Sequence, residues 1–524
     1  MTHQQQVIGG SEVSERLGTL VTNANAVRAI ASAVEGTLGP KGLDTMLVDK
    51  FGGVVITNDG VTILAQMEAN HPAARMLINI AKAQQEEIGD GTTTATIMAG
   101  AMVDTGVELI SRGVPVARVI EGLRAGLKRG LELMKEKARP VERLDDPAVR
   151  QVALVAGRGR EDIADLAVRA AFLIGEEKLR EPSFKLADLI IAQEGVDNQV
   201  FSGVVITKER LNHQMPRALE SVKTLVIDDA LEPEEIEDEA LSTESGFACY
   251  LELQNQFREN IRKIIELQVG LVLVGKGVNE LAEEMLTDAS TIVVQRVRAR
   301  ELCKAAEHTG ARMIKRIGLK KGLDQLERYL GRARSVFNDE KLEQIWICEG
   351  AGKPMATAIV GAATTEVLGE RERIARDAAA AVQAAIKGGI VPGSGALEIA
   401  VMHELEKLRT GMRGMAAYGV NCVVEALKRP LAQIVANAGF NSLEKVGAVI
   451  TAQLETKNDA LAIDCDTGEV CDMYQVGIID PLLVKTYALK AAGEVAEAIL
   501  RIDTIIKKRE EKAAEKKETI EYRI

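Results

Sequence analysis

Apolar residues at Leu17, Val21, Ala24, Val27, Ile30, Ala31, Val34 and Leu38 recur at helical spacing and predict a helix over Ser14–Leu38. The pattern stops at "LGPKG", where Gly39 can end a helix and Pro40 cannot continue one. Two β-branched runs around Gly52 and Gly53 in "DTMLVDKFGGVVITNDG" predict a hairpin. Helical periodicity returns over Ala73–Ile88, Thr93–Arg112 and Val116–Ala138. The charged, proline-bearing segment Ala138–Gln151 reads as a domain boundary. From about Gly203 to Ile359, short runs ("GVVIT", "KTLVID", "GLVLVG", "STIVVQ", "QIWICEG") alternate with charged helices, as in an inserted α/β domain. "EVLGERERIARDAAAAVQAAIKGG" is then a long helix, and Ala-rich helices dominate from Leu397 to Lys428. The pattern gives a helical domain built from both chain ends, a β-containing domain in the middle, and two connecting segments.

The chain has 524 residues, 46% of them hydrophobic but only 3% aromatic, with one Trp. Cores built from small aliphatic side chains favour helices over a β-sandwich. The net charge of −12 argues against general nucleic-acid or membrane-surface binding, which needs a basic face. No apolar run reaches the length of a membrane span. "MTHQQQVIGGSEVSERLG" lacks the blocks of a signal peptide, so a cytoplasmic protein is expected. The six cysteines form no C-x-x-C pair and the five His are scattered, which argues against zinc. Cys465 and Cys471 flank "DTGEV", a predicted hairpin turn. A bridge there is conceivable, but free thiols are the expectation in a reducing compartment.

"GDGTTTAT", Gly89–Thr96, places Asp90, Gly91, Thr92, Thr93 and Thr94 where a helix begins. Free N–H groups and a positive partial charge there suit phosphate, and Thr hydroxyls add donors. Asp90 beside phosphate implies an intervening cation, Mg²⁺. The plainer alternative is an N-cap, which needs only one such residue. "TLGPKG", Thr37–Gly42, reads as a second phosphate loop or a C-cap turn; "TNDGVTI", Thr57–Ile63, offers Asp59 or an ordinary Asp-Gly turn. "GLVLVGKG", Gly270–Gly277, matches most of a P-loop, but Gly277 replaces the metal-holding Ser/Thr and "LVLV" reads as a strand. "GSGALE", Gly393–Glu398, is weak as a dinucleotide fingerprint and stands as another Gly-rich loop opening a helix. Asp377 reads as a solvated helix residue, and Asp480 before Pro481 as an N-cap. "DDALEPEEIEDEALSTESG" and "KKREEKAAEKKETIEYRI" read as a solvated loop and a frayed terminal helix.

In combination, "TLGPKGLDTMLVD", "ITNDGVTIL", "HPAARML", "GDGTTTAT", "GIIDPLLVKTYAL" and "ILRIDTII" occur in order along the whole chain and resemble the chaperonins. "HPAARML", "GVVITKERLNHQMPRAL" and the segment from Ala230 to Ile264 resemble the thermosome, or group II, branch, which carries a built-in lid. The resemblance implies a multidomain α and α/β fold. It has a mostly helical equatorial domain (1–138 and 393–524), a small intermediate domain (139–203 and 359–392), and an α/β apical domain (204–358) with a helical protrusion. Glu232–Lys263 would be the lid, with its helical run over Tyr250–Ile265.

It further implies Mg-ATP hydrolysis driving closure of a homo-oligomeric double ring, eight subunits per ring, around non-native protein clients, with no separate co-chaperonin. Carried over by position, Thr37, Leu38, Gly39 and Pro40 would lie along the phosphates. Asp90 would bind Mg²⁺ and Gly91 to Thr94 would hold phosphate oxygens. Asp59 and Asp377 would orient or deprotonate the attacking water. Gly393, Ser394 and Gly395 would line the nucleotide, Asp480 would reach the ribose, and Asp464–Asp466 would lie near the base. Leu500–Ile506 would be a strand pairing with a neighbouring subunit's hairpin. Two departures stand out. "AGRGRE" puts Arg158 where the thermosome branch has Lys, and "GSG" puts Ser394 in the middle of a usual triple glycine. They fit a divergent bacterial lineage of the group III kind. A nucleotide-binding ring scaffold without folding activity and a phosphotransferase are the alternative functions.

Overall fold

The computed structural model describes residues 5–7, 11–13, 16–48, 52–234 and 243–505. The chain divides into two compact units, one of Met1–Gly159 with Ala380–Ile524, the other of Arg160–Ala379.

The first unit opens with a short antiparallel pair, β1 (Gln5–Val7) and β2 (Ser11–Val13), followed by α1 (Arg16–Glu35). The hairpin β3 (Thr45–Val48) and β4 (Val54–Thr57) comes next, then α2 (Gly60–Gln66), α3 (Pro72–Glu87), α4 (Thr92–Ser111), α5 (Val116–Glu136) and α6 (Pro147–Ala156). The boundary segment Ala138–Gln151 thus already contains the start of a helix. Asp146 caps it by accepting from the Ala148 N–H at 2.9 Å, and Pro147 occupies its first turn, where no N–H is needed.

The second unit begins with α7 (Glu161–Ile174) and α8 (Glu176–Arg180). An eight-stranded mixed sheet follows, made of β5 (Ile190–Glu194), β6 (Gln199–Ile206), β7 (Ala218–Ile227), β8 (Val269–Val274), β9 (Ile292–Val294), β10 (Gly331–Asp339), β11 (Gln344–Gly350) and β12 (Ala356–Ala362), in the order β5-β12-β6-β11-β10-β7-β8-β9. The helices α9 (Glu244–Glu266) and α10 (Glu280–Asp288) connect the parallel strands β7, β8 and β9. α11 (Ala299–Thr309) and α12 (Leu323–Glu327) precede β10. Leu271 and Leu273 of β8 enter one core, while Val272 and Val274 enter the other. A strand buried on both faces reads as an unbroken apolar run, which is why "GLVLVG" was legible. β10 was not: its Arg332 and Arg334 alternate with buried Ala333, the signature of a strand with one wet face. β5 and the Ala-rich β12 also fell outside the β-branched pattern.

α13 (Thr365–Gly388) leads back into the first unit, to β13 (Ile390–Pro392), α14 (Ala396–Gly411), α15 (Ala416–Asn437), α16 (Ser442–Thr456), the pair β14 (Leu461–Ile463) and β15 (Val470–Asp472), β16 (Ile479–Pro481) and α17 (Leu482–Leu500). α4 is buried around most of its circumference and packs against α1, α3, α15 and α17. Such a helix is apolar on every side. The long helices begin and end within a few residues of expectation. α9 is longer than the expected Tyr250–Ile265, because Thr243 accepts from the Gly246 N–H at 3.0 Å and starts the helix earlier.

Leu500 closes α17, 501–505 carry no strand in the single chain, and Ile506 lies outside the described residues, so the expected pairing of Leu500–Ile506 belongs to the assembled ring. A lone terminal strand has nothing to pair with in a single chain. The terminal tail and most of the acidic start of the expected lid (235–242) also lie outside the described residues. The expected equatorial core segments fall in the first unit and 204–358 in the second, while 139–203 and 359–392 each straddle the division. Among the described residues no helix is long and apolar enough to cross a membrane.

Candidate active site

α4 starts at Gly91, whose φ of +80° puts it in the left-handed region, and no side chain caps the helix. Among the described residues, Asp90 accepts only from the Gly91 N–H next to it, at 2.5 Å. The N-cap alternative for Asp90 and the threonines is therefore not what the chain adopts, and the amides of Thr92, Thr93 and Thr94 receive no capping side chain. This is the arrangement a helix offers to an anion. A β-carbon at Gly91 would stand 2.6 Å from Val484 Cγ1, so only glycine fits. Gln84, buried beneath the loop, donates from Nε2 to the Asp90 carbonyl at 2.6 Å and to the Val484 carbonyl at 3.3 Å, tying the loop to α17.

The other expected loops gather around this point. Gly60 abuts the Thr93 hydroxyl so closely that no side chain could stand there. Its neighbour Asp59 is the N-cap of α2, accepting from the Val61 and Thr62 N–H groups at 3.3 and 3.1 Å and from the Thr62 hydroxyl at 2.6 Å. Asp59 is thus a helix N-cap rather than part of an ordinary Asp-Gly turn, and its carboxylate has lone pairs beyond those the cap uses.

β13 and β16 pair so that Val391 faces Asp480, which sets Gly393, Ser394 and Gly395 beside that acid. Gly395 is the uncapped N-terminus of α14. Ser394 has a φ of +54°, a conformation that glycine adopts without cost. Asp480 does not cap α17, whose N-cap is Pro481. Instead Asp480 pairs with Lys485 at 2.8 Å, and Lys485 pairs with Glu398 at 2.8 Å.

The Thr37–Pro40 loop turns at Gly39, with φ of +87°, and is held by Asn437, which donates to the Glu35 and Leu38 carbonyls at 2.9 and 2.8 Å. The Thr37 hydroxyl donates back to Val34 at 2.8 Å. Lys41 pairs at 2.6 Å with Asp466. Asp464 shares that turn and accepts from the Asp466 N–H at 2.8 Å. Ser394 donates to the Ile463 carbonyl at 3.4 Å, linking this hairpin to the glycine loop.

Asp90 is pushed up to about 6, first by loss of water and then by the charge of Asp480. The Gly91 N–H, Lys485 and Arg158 pull the other way. Arg158, with φ of +56°, therefore belongs electrostatically to the site. Burial works against the charge of Lys485, but Asp480 and Glu398 outweigh it and hold its ammonium above the usual range. An acid that resists ionising beside a second acid fits a cation brought in with its ligand. Among the described residues, no three His, Cys, Asp or Glu side chains form a self-sufficient metal cluster.

Asp377 lies half-buried on α13 in the second unit. "GLVLVG" is β8, not a phosphate loop. All six cysteines are free, Cys465 and Cys471 included. Sequence reading missed Gln84, Asn437, Glu398 and Lys485. The last had a signal: a lysine inside the apolar stripe of "LLVKTYAL" implies a buried partner.

Comparison with known proteins agrees with this geometry. The TCP-1/cpn60 chaperonin family model matches residues 30–510. The thermosome subunit of Pyrococcus horikoshii is 35% identical over 515 residues, covering 94% of this chain and 92% of that protein. The thermosome subunit beta of Archaeoglobus fulgidus is 35% identical over 500 residues, covering 92% and 91%. The crystal structure of a group III chaperonin in the open state superposes with a TM-score of 0.86 at 46% identity, covering 94% of this chain and 99% of that one. The chain belongs to the TCP-1/cpn60 chaperonin family.

Proposed function

We propose that the protein is an ATP-hydrolysing chaperonin whose closing double ring encloses and folds non-native proteins. The observation that carries this reading is the uncapped start of α4 beside the coupled acids Asp90 and Asp480. The amides and hydroxyls of Gly91 to Thr94 hold phosphate oxygens, and Thr37 to Pro40 run along the phosphate chain. Gly393 to Gly395 line the nucleotide, Asp480 reaches the ribose, and Arg158 faces the terminal phosphate as a planar fork in place of a lysine point charge. Asp90 holds Mg²⁺, which when bound supplies charge neutralisation between the phosphates. Asp59 and Asp377 orient the attacking water and accept its proton.

Two surface features support assembly and closure. Met46, Val48, Val54 and Ile56 share one face of the β3–β4 hairpin and are each more than half exposed, an apolar edge suited to a neighbouring subunit's terminal strand. Phe247, Tyr250 and Leu251 stand exposed near the start of α9, as a lid that meets other lids requires. The intermediate domain comprises 139–203 and 359–392, and each ring holds eight copies of this chain. The test is negative-stain imaging of the purified protein with and without ATP, alongside refolding of a denatured client. Closed eight-fold double rings and ATP-dependent recovery are expected. Small oligomers, or rings that turn over ATP without recovering the client, would refute the reading.

A further inference from the structure

A cavity of about 380 Å³ is lined wholly by residues of the second unit. Ile191 of β5, Val204 and Val205 of β6, and Met355 ahead of β12 give it an apolar lining, and lysines stand among the lining residues. A volume of this size, with a wall that is about half polar and includes the carboxylates Glu181, Asp188 and Glu307, lies within the range of small-molecule sites.

Charge pairing inside it is incomplete. Lys178 hydrogen-bonds Glu181, and Lys353 lies 3.4 Å from Glu307. Arg300, one turn before Lys304 on α11, takes Asp188 at 3.0 Å, and Arg376 takes Glu372 at 2.8 Å. The lining carboxylates Glu181, Asp188 and Glu307 are thereby engaged by other bases, while Glu301, about one turn before Lys304, accepts from the Thr207 hydroxyl at 2.6 Å. Its hydrogen bond is to the Asp188 carbonyl, at a long 3.5 Å. Burial, and after it the neighbouring Arg300, hold the Lys304 ammonium below its usual value against the pull of Asp188 and Glu301, with Arg376 adding the smallest push. A cation that has lost water, lies near the Arg300 guanidinium and makes no ion pair among the described residues gains from an incoming anion.

We propose that this cavity binds a small amphipathic organic anion, with Lys304 against its oxyanion head and its apolar tail over Val204 and Met355, which share the sheet face covered by α11. The site is independent of the nucleotide reading and stands or falls separately from it.

Isothermal titration of the assembled full-length protein with octanoate, octanamide and inorganic phosphate tests this. Octanoate should bind at least about tenfold tighter than octanamide, the size expected for a charge-assisted hydrogen bond. It should also bind tighter than phosphate, which has the head without the tail. Lys304→Met should abolish the preference for octanoate over octanamide, and Lys304→Arg should keep it. Met355→Trp, which narrows the cavity and leaves every charge in place, should lose octanoate binding. Equal binding of octanoate and octanamide, an unchanged preference in Lys304→Met, or phosphate binding as tightly as octanoate would each overturn the proposal. An octanoate-induced rise in melting temperature for wild type that is absent in Lys304→Met provides a second readout on folded protein.

Discussion

Two stretches of this chain are nearly the same text. Asn58-Asp59-Gly60-Val61-Thr62 opens α2, and Gly89-Asp90-Gly91-Thr92-Thr93 opens α4. They fold differently. Asp59 is itself the N-cap, extended, and its carboxylate serves the Val61 and Thr62 amides. At Asp90 the helix begins one residue later, glycine takes the cap in a left-handed conformation, and the carboxylate reaches only the adjacent amide. The first helix satisfies its own N-terminus, while the second leaves it for a ligand. A one-residue shift in where the helix starts thus separates a self-capped turn from an anion site. The shift is held from outside the loop, by Gln84 below and by Val484 against Gly91.

The sharpest way to break this contrast is at the acids. Asp90→Ala should lower turnover on the order of a hundred- to a thousandfold, the cost of a lost electrostatic group. It should also make nucleotide affinity indifferent to Mg²⁺. Retained Mg²⁺ dependence would move the metal elsewhere. In the wild type, Mg²⁺-dependent affinity should weaken as pH falls through about 6, because the protonated Asp90 carboxyl is no ligand. Its folded pKa lies above the ordinary 3.8, so folded protein binds the extra proton between these values. Asp90 therefore subtracts stability as pH rises from about 4 to about 6, and Asp90→Asn should remove that slope from a pH series of melting curves.

Asp377→Ala should bind ATP with near-normal affinity and hydrolyse it slowly, within the hundred- to ten-thousandfold loss expected for a missing base. Equilibrium binding and single-turnover hydrolysis on one preparation decide it: a binding loss as large as the rate loss leaves Asp377 an ordinary helix residue. Asp59 has two roles to separate. Asp59→Asn keeps a capping oxygen and should hold its melting temperature while losing turnover, whereas Asp59→Ala should lose both, with about 1 kcal/mol of stability gone. Full turnover in the Asn variant would reduce Asp59 to a cap.

Gly91→Ala should cost about 1–3 kcal/mol through its left-handed backbone and the collision with Val484, measured by denaturant unfolding, and should weaken nucleotide binding with it. An unchanged variant would mean that the loop is not held as described. The smallest effect is expected at Ser394→Gly, which should stabilise by up to about 1 kcal/mol by relieving a positive φ. A destabilised variant would show that the serine hydroxyl, through Ile463, matters more than its backbone.

Most of the long helices and the strands buried on both faces were legible, because a 3.6-residue stripe or an unbroken β-branched run is written in the chain itself. β10 was hidden by its arginines, and the strand expected over Leu500–Ile506 needs a neighbouring subunit's edge, since strands are completed by partners rather than by their own sequence. At the site, the sequence by itself determined that glycines, threonines and acids cluster in a few short loops, since small residues and oxygen ligands are what a phosphate and its cation need. Only the tertiary structure decided which aspartate caps and which stays open. It alone brought Asp480 to Asp90 and buried Lys485 between Asp480 and Glu398. Helix register and charge coupling depend on contacts between residues hundreds of positions apart, and no local pattern encodes those.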